Sequence, residues 1–75
     1  MRKLVSFGSV IIGSNVWLGD NVIIIGPGMI GNGAVIGANS VVTRDIPDYV
    51  IAAGAPLRIL KSFKYENGLW EKFEQ

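Results

Sequence analysis

IGSNVW, LGDNVI, IIGPGM, IGNGAV, IGANSV and VTRDIP, the stretch from Ile12 to Pro47, read as six consecutive six-residue units without slippage. A fixed short period indicates a repeat architecture before local propensity is considered. The first position of each unit is branched aliphatic: Ile12, Leu18, Ile24, Ile30, Ile36 and Val42. The fifth is apolar or small: Val16, Val22, Gly28, Ala34, Ser40 and Ile46. Because strand side chains alternate between faces, these positions point inward together, and each unit boundary is predicted to be the centre of a short strand.

The fourth position of each unit predicts a corner between strands. It is occupied by Asn15, Asn21, Pro27, Gly33, Asn39 and Asp45. Five of these six are residue types that adopt a left-handed backbone at low cost. The exception is Pro27, because its ring holds φ negative. We therefore expect Gly26 or Gly28 to absorb that turn.

Length and composition predict one small domain, residues 1–75, with the repeat over 10–53, a tail over 54–75 and a polar entry segment before the repeat. The 23 residues from Asn21 to Thr43 carry no charge and are long enough to suggest a membrane span. They contain five glycines and a proline, however, and their apolar residues recur with a period of six rather than a helical period, so no membrane span is expected. No signal peptide is recognised, and a cytoplasmic location is expected. A net charge of +1 is too small to produce an electrostatic field that would attract nucleic acid. The absence of cysteine excludes disulfides and thiolate metal sites.

Three segments carry a resemblance to a known family: NVWLG (Asn15 to Gly19), IGANSVVTRDIP (Ile36 to Pro47) and AAGAPLRIL (Ala52 to Leu60). Together they resemble the hexapeptide-repeat acyltransferases, in particular the maltose, galactoside, xenobiotic and capsule or lipopolysaccharide O-acetyltransferases. The similarity runs from about Phe7 to Lys61 and resembles only the C-terminal portion of those proteins. It implies an all-β fold, a left-handed parallel β-helix of about two to three coils, with three corners and eighteen residues per coil.

The tail after the repeat is expected to form a short hairpin or a short helix. Asn67-Gly68 between aromatic residues is typical of a hairpin, whereas LWEKFEQ is also compatible with a helix. In either case we expect Trp70 and Phe73 to pack on an open edge of the fold.

The outward positions of the predicted strands are apolar throughout: Ile11, Trp17, Ile23, Met29, Val35 and Val41. Eighteen-residue stacking would arrange them in three exposed ladders, which a soluble monomer would not carry. The resemblance implies a homotrimer that covers part of this surface. It also implies that Trp17 lies beside a substrate cleft between subunits; packing of the ring in the trimer interface is the alternative, and a cleft between subunits satisfies both.

The resemblance further implies a coenzyme A-dependent O-acetyltransferase that transfers an acetyl group from acetyl-CoA to a saccharide or similar hydroxyl acceptor. Residue-by-residue matching gives these cofactor-contact positions: Asp20, Ala38, Thr43, Arg44, Arg58 and Lys61. Arginine and lysine suit the phosphates of coenzyme A because they donate charge-assisted hydrogen bonds. Asp20 departs from the pattern, since the galactoside enzymes have serine there.

The chain contains no histidine, and this is its main departure from the family. Acyl transfer to a hydroxyl needs a base, and a neutral imidazole is the usual one. We therefore assign no catalytic residue and no metal ligand, and we interpret Asp20, Asp45 and Asp48 as corner formers or solvated charges. Two hypotheses remain: an incomplete acetyltransferase domain, or a non-catalytic trimeric β-helix module that retains coenzyme A binding.

Overall fold

The computed structural model describes residues 4–64 and 68–72, which form strands and connecting turns without a helix. The strands are β1 (Leu4–Phe7), β2 (Val10–Ile12), β3 (Trp17–Leu18), β4 (Val22–Ile25), β5 (Gly28–Ile30), β6 (Val35–Ile36), β7 (Val41–Val42), β8 (Val50–Ala53), β9 (Arg58–Lys64) and β10 (Leu69–Lys72). The all-β prediction is confirmed. Within these two ranges, no helix of the length and hydrophobicity needed to cross a membrane is present.

The strands form three parallel faces that the chain visits in rotation. Face A contains β1, β4 and β7, and face B contains β2 and β5. Face C contains β3, β6 and β8 and is extended by β9 and β10. A parallel bridge between Ile30 and Ile46 continues face B into the next layer. The chain therefore makes three coils, at the upper end of the predicted number.

The first two coils keep the expected spacing of eighteen residues. Leu4 pairs with Val22 on face A, and Val10 pairs with Gly28 on face B. The pairing begins at Leu4, so the expected polar entry segment before Val10 is wrong over the β1 residues. Those residues form β1 and supply the first side of the first coil.

The third coil is shorter, which corrects the prediction of six units without slippage. Ile30 pairs with Ile46, and Val35 pairs with Ile51, each sixteen residues apart. The corner after β7 therefore crosses from face A to face B with two residues fewer than in the coil below. The side chain of Asp45, in this shortened turn, bonds to the coil below, because its Oδ1 accepts a hydrogen bond from the Met29 amide of β5 at 2.9 Å.

The left-handed corners are confirmed at four predicted positions: Asn15, Asn21, Gly33 and Asn39, with φ between 57° and 68°. Two corners differ. Asp45 does not adopt a positive φ, and Tyr49 does, at 55°, in the third coil. Neither Gly26 nor Gly28 has a positive φ; the Gly26-Pro27 peptide is cis instead, so the expected glycine turn there is wrong.

The inward positions form one core along the axis of the coils. Its buried members are Val22, Ile24, Ile30, Ala34, Ile36, Val42, Ile46, Val50, Ala52 and Ile59. Ile12, in the lowest coil, is 41% exposed because no further coil lies beneath it in the described residues. Ser40 is fully buried; its hydroxyl donates to the Gly37 carbonyl at 2.7 Å and accepts from the Gly54 amide at 3.0 Å.

The tail folds back as an antiparallel extension of face C. Strand β9 pairs with β8, and β10 pairs with β9 so that Leu69 lies opposite Lys64. Of the two expected conformations, the structure has the hairpin, and Gly68 has a φ of 68° at its turn. The side-chain packing predicted for Trp70 and Phe73 falls outside the described part of the structure.

Candidate functional site

An open groove of about 390 Å³ runs along the edge of face C, where it turns toward face A. Seven residues of the two lower coils line it: Trp17, Leu18, Gly19, Asp20, Val35, Ile36 and Gly37. Strands β3 and β6 place these residues, because Trp17 pairs with Val35 and Leu18 pairs with Ile36. The groove is therefore apolar on one side and carries one carboxylate at the corner.

The floor of the groove is made of glycine because the coils approach each other closely there. A Cβ built on Gly19 would lie 2.5 Å from the Ala38 amide nitrogen, and one on Gly37 would lie 2.9 Å from the Ala53 Cβ. Neither position accepts a larger side chain without movement of the backbone or of the neighbouring residue. The result is a smooth strip, free of side chains, that runs from coil to coil between the Trp17 column and the corner.

Arg58 and Lys61, both on β9, lie toward the end of the same face that is remote from Trp17. Lys61 pairs with Ile51, which pairs in turn with Val35, so Lys61 belongs to the outward column that begins at Trp17. Arg58 pairs with Ala53, which lies over Gly37. Both cations are exposed. Three strand spacings separate β9 from β3, about 14 Å in all.

The six predicted cofactor positions do not converge on one point of the chain. Asp20 and Ala38 meet at the corner between faces C and A, where the Asn39 amide donates to the Asp20 carbonyl at 2.8 Å. Arg58 and Lys61 lie on β9, at the top of face C. Thr43 and Arg44 follow β7 at the corner between faces A and B. The width of face A therefore separates these two residues from the groove of the same chain.

Trp17 presents its ring to solvent, as the repeat predicts. It is 62% exposed and forms part of the groove wall. The predicted outward ladders are confirmed by the register, which pairs Ile11 with Met29 and Ile23 with Val41. Ile11 is 67% exposed, so face B carries a large apolar surface in the isolated chain.

Asp45 and Asp48 bond to the backbone, in line with their interpretation as corner formers. The Asn32 amide donates to Asp48 Oδ1 at 2.7 Å, in the same way as the Met29 amide donates to Asp45. Asp20 differs, since it lines the groove. With no histidine in the sequence, the groove contains no imidazole base.

Sequence reasoning missed the glycine floor of the groove. Gly19 and Gly37 occupy the second position of their units and stand eighteen residues apart, a signal that was present in the repeat. The spacing alone does not show that adjacent coils approach closely enough at these positions to exclude a Cβ. The contribution of Ala53 could not be recognised in this way, because it depends on the shortened third coil.

Comparison with known proteins gives a consistent family and fold. Residues 9–44 match the family model of the bacterial transferase hexapeptide (six repeats). The chain is 50% identical over 72 residues to the putative lipopolysaccharide biosynthesis O-acetyl transferase WbbJ of Escherichia coli K12. The aligned region covers 96% of this chain and 36% of that protein. The chain thus spans about a third of that relative's length.

Two solved structures agree with the sequence match. A galactoside acetyltransferase in complex with coenzyme A superposes with a TM-score of 0.71 at 40% identity, over 88% of this chain and 35% of that one. A hexapeptide-repeat acetyltransferase of Vibrio cholerae O1 biovar eltor, complexed with acetyl coenzyme A, gives 0.71 at 44% identity, over 73% and 30%. The repeat region of this chain belongs to the bacterial transferase hexapeptide family, and its fold is the left-handed parallel β-helix.

Proposed function

We propose that this chain is the coenzyme A-binding part of an acetyltransferase that modifies a hydroxyl group of a saccharide or a similar acceptor. The observation that carries the proposal is the arrangement on face C. Two cations lie at one end, an exposed indole lies at the other, and a floor without side chains connects them. The ligands bound in the two similar solved structures, coenzyme A and acetyl coenzyme A, have the matching chemistry.

The proposed ligand lies across the strands of face C. Its phosphates contact Arg58 and Lys61, which supply charge-assisted hydrogen bonds. Its pantetheine arm crosses Ala53, Gly37 and Gly19, where the close-packed coils leave room for an extended chain. The thioester then reaches the lower part of the groove. The Asp20 carboxylate can accept hydrogen bonds from the amide groups of the arm, a role that does not require it to contact phosphate.

Thr43 and Arg44 enter the proposal through a neighbouring subunit. They cannot reach the groove of their own chain without crossing face A, but a homotrimer would bring that corner beside face C of the next copy. The exposed apolar surface of face B and the half-buried ladder of face A favour such association, because burial of apolar area is the main driving force for assembly. In this arrangement each cofactor site has residues from two subunits.

The chemistry of the proposed reaction sets what this chain supplies and what it lacks. The acceptor oxygen attacks the thioester carbonyl, a C–O bond forms, and the C–S bond breaks. The hydroxyl proton passes to a base, and the departing thiolate of coenzyme A takes up a proton. Arg58, Lys61 and the groove bind and orient the donor, whereas the base comes from outside these 75 residues. We place the reaction in the cytoplasm, where acetyl-CoA is available.

A second candidate function is supported by the absence of histidine. In it, the chain is a trimeric β-helix module that binds coenzyme A without catalysing transfer. The two candidates share the groove and differ in turnover. An assay of thiol release from acetyl-CoA with a panel of saccharides separates them, because only an acetyltransferase releases thiol in proportion to acceptor.

Calorimetric titration with coenzyme A tests the binding proposal that both candidates share. Arg58→Ala is expected to weaken binding by about tenfold, the usual loss for one charge-assisted hydrogen bond. Arg2→Ala is the matched control, since it removes the same charge outside the segment that resembles the acyltransferases, Phe7 to Lys61. Equal affinity of both variants with the native chain would contradict the proposed role of the face C cations, and absence of binding by the native chain would contradict the proposed function.

A further inference from the structure

A β-bulge in β9 brings two basic residues to the same face of the sheet. Arg58 and Lys61 are three residues apart, and residues at an odd separation point to opposite faces of a regular strand. In this structure both are exposed, and both pair with outward residues of β8. The regular alternation is therefore interrupted between them.

The register identifies Leu60 as the bulged residue. Lys61 pairs with Ile51, and the next pair joins Ile59 to Ala52, so Leu60 has no partner in the ladder. Such an extra residue changes which side chains face outward from that point on. Leu60 is 46% exposed, whereas Ile59 is only 5% exposed and packs in the core.

A regular strand would give a different surface. Continued pairing from Ser62 would place Leu60 opposite Ala52, inside the core, and would turn Ile59 outward. Arg58 would then move one position along β8 and point to the inward side. The bulge thus sets both the core side chain and the direction of Arg58.

We propose that the bulge at Leu60, which accommodates the extra residue without turning Arg58 inward, assembles a two-cation site for the phosphate-bearing end of the ligand. The inference rests on the proposed function, because it deepens the description of the same groove. The outward columns of Ile51 and Ala53 lie two residues apart on β8, about 7 Å. Side chains as long as lysine and arginine, starting from adjacent columns, converge on one phosphate or pyrophosphate group.

A double-mutant cycle tests whether the two cations act on one group. The probe is adenosine 3′,5′-bisphosphate, titrated by calorimetry at constant salt. Arg58→Ala and Lys61→Ala are each expected to weaken binding by about tenfold. The double variant is expected to lose about twentyfold rather than a hundredfold, because residues that share a partner are not additive. A full hundredfold loss means independent contacts and overturns the shared site.

Two further variants test the bulge itself. Deletion of Leu60 leaves Arg58 and Lys61 two residues apart, hence on one face, and is expected to retain affinity within about threefold. Lys61→Ala combined with Ser62→Lys places the charge at a residue opposite the buried Val50, so binding is expected to stay at the level of Lys61→Ala. Lys61→Arg, the matched control, is expected to bind like the native chain.

The outcomes distinguish the inference from the proposed function. No binding by the native chain overturns both. In a second outcome, Arg58→Ala and Lys61→Ala each weaken binding, but Ser62→Lys restores it in the Lys61→Ala background. That outcome overturns the role of the bulge and leaves the proposed function standing. Circular dichroism shows whether the Leu60 deletion folds.

A disulfide test reports the register directly, because the native chain has no cysteine. A disulfide should form in the double variant Ala53→Cys/Arg58→Cys, whose residues are opposite each other in the bulged register. Formation in Ala53→Cys/Ile59→Cys instead would refute that register.

Discussion

The substitution Ser40→Ala removes a single oxygen atom, yet it is expected to lower the free energy of unfolding substantially. Ser40 is fully buried, and its hydroxyl joins the Gly37 carbonyl to the Gly54 amide across two coils. Alanine removes both hydrogen bonds and leaves two backbone groups without this partner. A buried polar group that loses its partner costs about 1–3 kcal/mol, and water can reach the exposed Gly54 turn, so we expect a total loss of about 2 kcal/mol.

Thermal unfolding followed by circular dichroism measures this loss. For a domain of this size, 1 kcal/mol corresponds to about 4–8 °C in Tm, so Ser40→Ala should melt about 8–16 °C below the native chain. Protein concentration must be equal in all samples, because an oligomer has a concentration-dependent Tm. Ser14→Ala is the matched control, since Ser14 is exposed, and its Tm should change by only a few degrees. If both variants melt together, the buried hydroxyl does not hold the coils as argued.

Three further predictions follow from the corners, the groove floor and the outer faces. Asp48→Ala removes the acceptor of the Asn32 amide and should lower the free energy of unfolding by about 1 kcal/mol in urea titration; no change in the midpoint would contradict the capping role. Gly19→Val should weaken coenzyme A binding by at least tenfold at low temperature, where the variant remains folded, because its side chain must displace the Ala38 backbone or fill the groove; unchanged affinity would move the ligand elsewhere. The native chain is expected to sediment as the proposed trimer and Met29→Glu as a monomer; a monomeric native chain would refute the proposed assembly.

Much of the fold could be predicted from the repeat because its signals are local. An asparagine such as Asn21 tolerates a left-handed backbone wherever it stands, and a branched aliphatic residue such as Ile36 favours a buried strand in any coil. Corners and inward positions therefore followed directly from residue types. Pro27 shows the limit of this reasoning. The sequence indicates that proline cannot adopt a left-handed backbone, but it does not indicate that the Gly26-Pro27 peptide is cis.

The candidate site was less predictable, since its residues come from different coils. The resemblance identified Arg58 and Lys61 as cofactor-contact positions, but it did not show that they share a face of the sheet. Their separation of three residues predicts opposite faces in a regular strand. Thr43 and Arg44 also matched the motif, yet they lie at another corner. Their connection to the groove depends on how copies of the chain associate.

By itself, the sequence determined the six-residue period, most of the inward positions between Val16 and Ile46 and four of the left-handed corners. Only the tertiary structure decided the two-residue shortening of the third coil, the bulge at Leu60 and hence the direction in which Arg58 points. The physical reason is the range of the interactions. Side-chain alternation and corner conformation depend on a residue and its neighbours, whereas register depends on which of several pairings with a strand sixteen or eighteen residues away best fills the core and satisfies the backbone.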